Sequence, residues 1–210
     1  MSQTSRPAAA TVKEAIESRR SVRQFEQVPM PEADLLEILR LTSLAQSAFN
    51  MQPWRFVVVT NKDVKAKLEL AANGQKQVGS APVVIAVVAD GAEFHQPLEL
   101  LARPEVLADV EKFDKYKAMV DRAYSSKPLE ANTEFAARMS YIAIGYLTLA
   151  ARGLGYDTSV MLGFKPNEVK ALLEIPEHAQ ITALIALGRG TEEGLAHHRL
   201  PLEVLTRFVR

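Results

Sequence analysis

Residues 81–90 read APVVIAVVAD, an apolar run broken only by the proline near its start and the aspartate at its end. A strand with one wet face alternates apolar and polar residues. An unbroken run of β-branched residues between turn signals marks a strand buried on both faces. Residues 180–190, QITALIALGRG, read the same way. The longest helical signal is NTEFAARMSYIAIGYLTLAARGLG, residues 132–155. Phe135, Met139, Ile142, Tyr146 and Leu149 line one of its faces, and Ala136, Ala143, Ile144, Leu147 and Ala151 line the others. A helix apolar nearly all round belongs in a core or a subunit interface. Gly153 and Gly155 end it. These two strands and this helix are expected to form the centre.

Working outward, WRFVVVT (54–60) and YDTSVML (156–162) read as further strands, the second entering a tight LGF turn. TVKEAIESRR (11–20) reads as a helix opened by a Thr11–Glu14 capping box. Val12, Ala15, Ile16 and Arg19 fall at i, i+3, i+4 and i+7, so Arg19 is expected to turn inward with the apolar stripe. PEADLLEILRLTSLA, KDVKAKLELAA and KPNEVKALLEI read as helices, and SAFNMQP (47–53) as a loop. In the first of these, Leu35, Ile38, Leu39 and Thr42 share a face. Residues 92–130 are polar, with helical patches around 105–123, and the tail LAHHRLPLEVLTRFVR is mixed. Four strands alternating roughly with about six helices imply an α+β or α/β fold, a small sheet wrapped by helices.

The chain has 210 residues, of which 48% are hydrophobic, enough for one globular core or at most two. No apolar run is long enough to span a membrane. The opening MSQTSRPAAA lacks the apolar core of a secretory signal and is expected to fray. There is no cysteine, which excludes disulfides, thiolate metal sites and a cysteine nucleophile and fits a cytoplasmic protein. Basic and acidic side chains balance at 25 each, which argues against wholesale nucleic-acid binding and requires any anion site to be local.

One such site is suggested by ESRRSVRQF, residues 17–25, where Arg19, Arg20 and Arg23 crowd around Ser21. Guanidinium forks meet phosphate oxygens in pairs. The same residues could form a solvated cationic helix end, favoured by the helix dipole, or a kinase-type RRSV site. In NMQPWRF (50–56), Asn50 and Gln52 offer donors and acceptors suited to a ring with alternating N–H and C=O groups. An ordinary polar loop closed by a core tryptophan would read alike. In SVMLGF (159–164), Gly163 lets a flat ligand approach the main chain, or simply makes a turn. No His or carboxylate spacing supports a metal site, and every glycine-rich nucleotide-binding motif is missing. A bound nucleotide would therefore be gripped mainly by side chains.

These segments, in this order, resemble the nitroreductase family of FMN-dependent oxidoreductases. ESRRSVRQF is similar to its phosphate-binding R-x-S-x-[RK] segment, QSAFNMQPWRFVVV to its loop and strand with N-x-Q-P-W, GLGYDTSVMLGF to its flavin-contacting turn, and HHRLPLEVL to its C-terminal phosphate contact. The resemblance runs from about residue 11 to 205. It implies an α+β fold with a central mixed, mainly antiparallel sheet sandwiched by helices, in an intertwined homodimer with flavin at the interface. Residues 1–10 would be a flexible end and 11–210 a single FMN-binding domain, with 92–130 as its variable substrate-pocket region. Arg19, Ser21 and Arg23 would bind the phosphate and ribityl side, with Arg20 acting partly through its backbone and Arg23 also reaching the pyrimidine edge. Arg199 would close on the phosphate. Ser47, Ala48 and Asn50, with Gln52 nearby, would come from the partner subunit. Gln77, or more weakly Gln75, would approach the N1–O2 side. Val160, Met161, Leu162 and Gly163 would line one ring face, with a main-chain N–H near Leu162 bonding to N5. Val160 stands where the family often has proline. His197 stands where many members carry lysine, which replaces a permanent charge by one titrating near about pH 6.5.

The resemblance implies a ping-pong oxidoreductase. NADH or NADPH would give hydride to the flavin, and an electron-poor acceptor such as a nitroaromatic or quinone would then be reduced. The chemistry would belong to the flavin, so no catalytic side chain is named. Two rivals remain at this level: the same FMN fold running reductive dehalogenation, flavin cleavage or dehydrogenation, and a non-enzymatic phosphate-binding adaptor.

Overall fold

A computed structural model describes residues 7–210. In chain order the elements are α1 (Val12–Ser18), α2 (Glu32–Ser43), β1 (Trp54–Val59), α3 (Lys62–Ala71), α4 (Lys76–Ser80), β2 (Val83–Ala89), α5 (Pro104–Leu107), α6 (Val110–Tyr124), α7 (Leu129–Gly153), β3 (Asp157–Met161), α8 (Pro166–Leu173), β4 (Gln180–Gly188) and α9 (Leu202–Leu205). Short 3-10 turns cover Ala48–Asn50, Gly91–His95 and Leu98–Leu100.

The four strands form one sheet in the order β1-β2-β4-β3. All three pairings are antiparallel, so the parallel component of the expected mixed sheet reduces to one isolated bridge, Ser21 with Thr158. β2 is buried at every position, as its unbroken apolar run requires. Its residues alternate between two cores. Val83, Ile85 and Val87 pack with Leu35 and Ile38 of α2 and with Ile144, Leu147 and Ala151 of α7. Val84, Ala86 and Val88 pack with Leu68 and Ala71 of α3 and Val169 of α8. Burying one such side chain contributes roughly 1.5–3 kcal/mol, which is why polar residues are excluded from both faces. A third cluster joins the N-terminal half of α7 to Trp54, Phe94, Val120 and Tyr124. The fold is thus α+β, with helices on both sheet faces.

Local signals explain most boundaries. Thr11 Oγ1 accepts from the Glu14 N–H at 3.1 Å, and Glu14 Oε2 accepts from the Thr11 N–H at 3.0 Å, completing the capping box. Asn61 caps α3. The 92–130 segment is more regular than its polarity suggests, since α5 and α6 lie within it. One expectation needs correction. α1 stops at Ser18, so Arg19 is not the last member of a buried helical stripe. Val12 and Ile16 of that stripe are 72% and 52% exposed, and only Ala15 is buried. Of the expected fraying end, residues 1–6 lie outside the described residues. Residues 7–10 run along the end of α7, where the Ala9 N–H donates to Arg152 O at 3.3 Å.

A buried ion pair joins the end of α7 to the start of β3. Arg152 Nη1 lies 3.6 Å from Asp157 Oδ1, with both side chains at least 96% buried. Arg152 Nε donates to Ser18 Oγ at 3.1 Å, and Arg152 also donates to the Pro7 carbonyl. Asp157 Oδ2 accepts from the Gly190 N–H at 3.3 Å. Removing one partner leaves the other charge buried without its counter-ion, a cost of about 3–5 kcal/mol. Arg152→Met is expected to lower unfolding free energy by that amount in urea denaturation. A loss below about 1 kcal/mol would contradict this reading of the pair.

Candidate functional site

The first and last parts of the chain are laced together beside β3. After α1, Arg19 takes an extended conformation (φ −60°, ψ 133°). Arg20 folds back, and its Nη1 donates to Glu17 O at 2.7 Å and Arg19 O at 2.9 Å, satisfying carbonyls at the end of the helix. In this respect Arg20 is the cationic helix end that a bland reading of ESRRSVRQF suggests. The same Nη1 lies 3.3 Å from His197 Nε2. Ser21 bridges to Thr158, and the Val22 N–H donates to Thr158 O at 3.1 Å. Further on, Phe25 pairs with Gly190, and the Thr191 N–H donates to Gln24 O at 3.0 Å. Gly194 (φ +70°) passes so close that a Cβ there would sit 2.9 Å from Arg20 Cβ and 3.0 Å from Ser21 O. Only glycine fits both that backbone and that approach.

This lacing puts cations from both chain ends in one place. His197 is held below the ordinary histidine range, first by desolvation, then by Arg20, with Arg199 and Arg19 adding to the effect against a backbone hydrogen bond at Arg19. Among the described residues, Arg20, Arg23 and Arg199 form no ion pair with a carboxylate. Among the described residues, Arg199 donates only to its neighbour's carbonyl, His198 O, at 2.8 Å. One carboxylate does border the segment: Glu192 Oε1 accepts from the Arg23 N–H at 2.7 Å. Arginines left without counter-ions fit a multivalent anion such as a phosphate monoester.

The turn after β3 is near this cluster along the strand. Val160 and Met161 follow Thr158 by two and three residues, roughly 7–10 Å at strand rise. Val160 and Leu162 are exposed, at 39% and 61%. Met161 is buried in the core, so only its main chain could meet a ligand. A Cβ on Gly163 would meet nothing within 4 Å, so the surface over the turn is open. The turn is held from beneath. Gly163 O accepts from Asn73 Nδ2 at 3.1 Å and from Gln75 Nε2 at 2.7 Å, and the Lys165 N–H donates to Ala71 O at 2.8 Å. Gln77 is only 7% exposed and donates to Gln75 Oε1 at 3.2 Å. Gln75, the weaker sequence candidate, is therefore the glutamine that reaches the turn. Asn73 was missed, although Asn73-Gly74 is a strong turn signal and both residues are left-handed (φ 57° and 73°).

Ser47, Ala48, Asn50 and Gln52 form a separate locus against α6 and α7. The Ala48 N–H points at Met139 Sδ, 3.3 Å away. Asn50 is committed to the loop itself: Nδ2 donates to Leu101 O at 2.8 Å, and Oδ1 accepts from Gln52 Nε2 at 3.2 Å. Ser47 Oγ accepts from the Gln52 N–H at 2.9 Å, which leaves the Ser47 hydroxyl as a donor. Gln52 Oε1 accepts no hydrogen bond among the described residues and remains an acceptor. No hydrogen bond among the described residues joins this loop to the arginine cluster or to the β3 turn.

Residues 16–189 match the nitroreductase family, and the chain belongs to it. It is 42% identical over 191 residues to a Thermus thermophilus protein named NADH dehydrogenase, covering 91% of this chain and 92% of that relative. It is 32% identical over 182 residues to Bacillus subtilis MhqN, named for NAD(P)H nitroreductase activity, covering 85% and 88%. Among solved structures, B. subtilis YdfN superposes with a TM-score of 0.85 at 30% identity, covering 94% and 98%. A nitroreductase-like protein of Exiguobacterium sibiricum, crystallised in complex with FMN, gives 0.86 at 26% identity, covering 96% and 99%.

The cluster makes a direct prediction. In an NMR titration of the folded protein, His197 should protonate at a pH below the ordinary histidine midpoint of about 6.5. Arg20→Ala should move that midpoint upward, because a repelling charge is removed. A midpoint that does not respond to Arg20→Ala would contradict the geometry.

Proposed function

We propose that this chain is an FMN-dependent oxidoreductase that takes hydride from NADH or NADPH and reduces electron-poor acceptors, such as nitroaromatics or quinones, in a ping-pong cycle. One observation carries the reading. Arg19, Arg20 and Ser21 meet His197 and Arg199 beside a strand whose open turn follows within a few residues. Arg19, Arg20, Ser21, Arg23 and Arg199 hold the phosphate and ribityl end. The main chain of Val160–Gly163 supports one face of the ring, with the side chains of Val160 and Leu162 outward. Gln75, backed by Gln77, orients the turn toward the ring's N1–O2 side. Ser47 and Gln52 supply a donor and an acceptor to the pyrimidine edge, and Ala48 and Asn50 shape the loop that carries them. FMN, when bound, supplies the chemistry, accepting two electrons as hydride and passing them to the acceptor. The protein positions the partners and places positive charge where the ring gains negative charge on reduction.

Residues 11–210 act as a single domain in this reading, and the site is completed by a second copy. Three features support a homodimer. Val12, Leu41, Leu44, Tyr146 and Leu149 line an open apolar groove of about 600 Å3 between α1, α2 and α7. Gly145 lies inside α7, where glycine costs about 1 kcal/mol against alanine, yet a Cβ there would touch nothing within 4 Å. The arm from Leu195 to Arg210 is exposed throughout, including Leu202, Phe208 and Val209. Apolar groups left bare on this scale mark an interface. The loop at 47–52 then reaches the arginine cluster of the other copy.

No helix among the described residues is long and apolar enough to cross a membrane. The test is a visible spectrum of the purified protein, followed by anaerobic addition of NADH or NADPH and then of a quinone. The expected result is an oxidised-flavin band that bleaches with nicotinamide and returns with acceptor, in a species that sediments as a dimer at micromolar concentration. A colourless protein that takes up no added FMN, or a monomer with full activity, would contradict the proposal.

A further inference from the structure

The backbone of the 47–52 loop is strained, and the strain is met by one set of donors. Phe49 (φ 54°, ψ 22°), Asn50 (φ 57°) and Gln52 (φ 45°) all adopt left-handed backbone without glycine. For a bulky residue such as Phe this is a true outlier, and each such residue costs of the order of 1–2 kcal/mol. Four successive carbonyls of the loop each receive a side-chain donor. Tyr116 Oη donates to Phe49 O at 2.8 Å, and Gln52 Nε2 to Asn50 O at 3.2 Å. Gln96 Nε2 donates to Met51 O at 3.0 Å, and Arg55 Nη1 to Gln52 O at 3.3 Å. Tyr116 and Gln96 lie in the 92–130 segment, and Arg55 is ion-paired to Glu93 of the same segment. Leu101 O, also in that segment, accepts from Asn50. The Phe49 ring meets Tyr124 edge-on, with centroids 6.0 Å apart.

We propose that residues 92–124 form a clamp that holds the 47–52 loop in its left-handed conformation, with Tyr116 and Gln96 as positioning residues for the ring-edge contacts of Ser47 and Gln52. This rests on the flavin reading above. Strain at a functional loop persists only where surrounding structure over-determines it. Here the surrounding structure is the segment expected to vary and to shape the acceptor pocket. An acceptor pressing on α6 therefore bears, through Tyr116, on the same backbone that meets the flavin ring. A tyrosine phenol is protonated at neutral pH, and burial raises that of Tyr116 further, so its hydroxyl is a donor there.

The test compares FMN with riboflavin, which lacks the phosphate, by titration into flavin-free wild type, Tyr116→Phe and Gln96→Leu. Loss of one hydrogen bond to the loop should weaken both flavins by the same factor, about three- to tenfold, and shift the bound flavin's visible band. Arg199→Ala, at the phosphate end, should weaken FMN alone. Unchanged constants and spectrum in both clamp variants would overturn the clamp, as would a loss confined to FMN. Wild type that binds neither flavin would overturn the flavin reading and the clamp with it.

Discussion

The buried contact between Arg152 and Asp157 sets the geometry on which the rest depends. It sits where α7 hands the chain to β3, and it reaches both ends of the sequence through Ser18 and Gly190. A buried ion pair is a poor source of net stability, because desolvation offsets most of its Coulomb gain. Its value lies in what it fixes. Ser18 is the residue before Arg19, and Gly190 opens the segment that returns through Gly194 to His197. With both anchored to one ion pair, the two cationic stretches are brought side by side and cannot drift apart independently.

That arrangement reconciles a neutral chain with the proposed anion site. Net charge governs long-range attraction, whereas binding of one phosphate is decided within a few ångströms. The chain sets the guanidinium groups of Arg19, Arg20, Arg23 and Arg199 in these two stretches and carries carboxylates elsewhere, many in exposed i,i+3 and i,i+4 pairs such as Arg40 with Glu37 and Arg138 with Glu134. His197 adds a group whose proton affinity desolvation and Arg20 hold below the ordinary histidine range, and which negative charge nearby would raise. A lysine there would carry its full charge against Arg20 at all times. In the proposed site, side chains on laced backbone would take the place of the glycine-rich phosphate loop of other nucleotide folds.

Much of the fold was legible because burial on both sides leaves an unmistakable pattern. β2, β4 and α7 are the most apolar elements; β2 and β4 feed both main cores, and α7 packs in one of them. The capping box at Thr11 and Glu14 was equally plain. The misreading of Arg19 has a simple cause. Helical periodicity continues through ESRRS, but the chain leaves the helix to pair with Thr158, a partner 137 positions away that no local pattern reveals. The 47–52 loop shows the same limit. Nothing in SAFNMQP announces left-handed backbone at Phe49 or Gln52, since the donors that hold it come from Tyr116 and Gln96. Of the candidate site residues, those on the arginine segment and the β3 turn fell together in one chain. Those on the amide loop did not, because contacts with Met139 of α7 and Tyr116 of α6 hold that loop elsewhere.

The central claim is that the laced chain ends grip a phosphate. The most direct measurement is the ratio of riboflavin to FMN dissociation constants for the wild-type protein at low and high salt. Two charge-assisted hydrogen bonds, each worth roughly 1.5–3 kcal/mol, predict that FMN binds at least about a hundredfold more tightly. Raising the salt toward about 1 M, where the Debye length is near 3 Å, should narrow that ratio. Equal affinity for the two flavins, or a ratio indifferent to salt, would contradict the account.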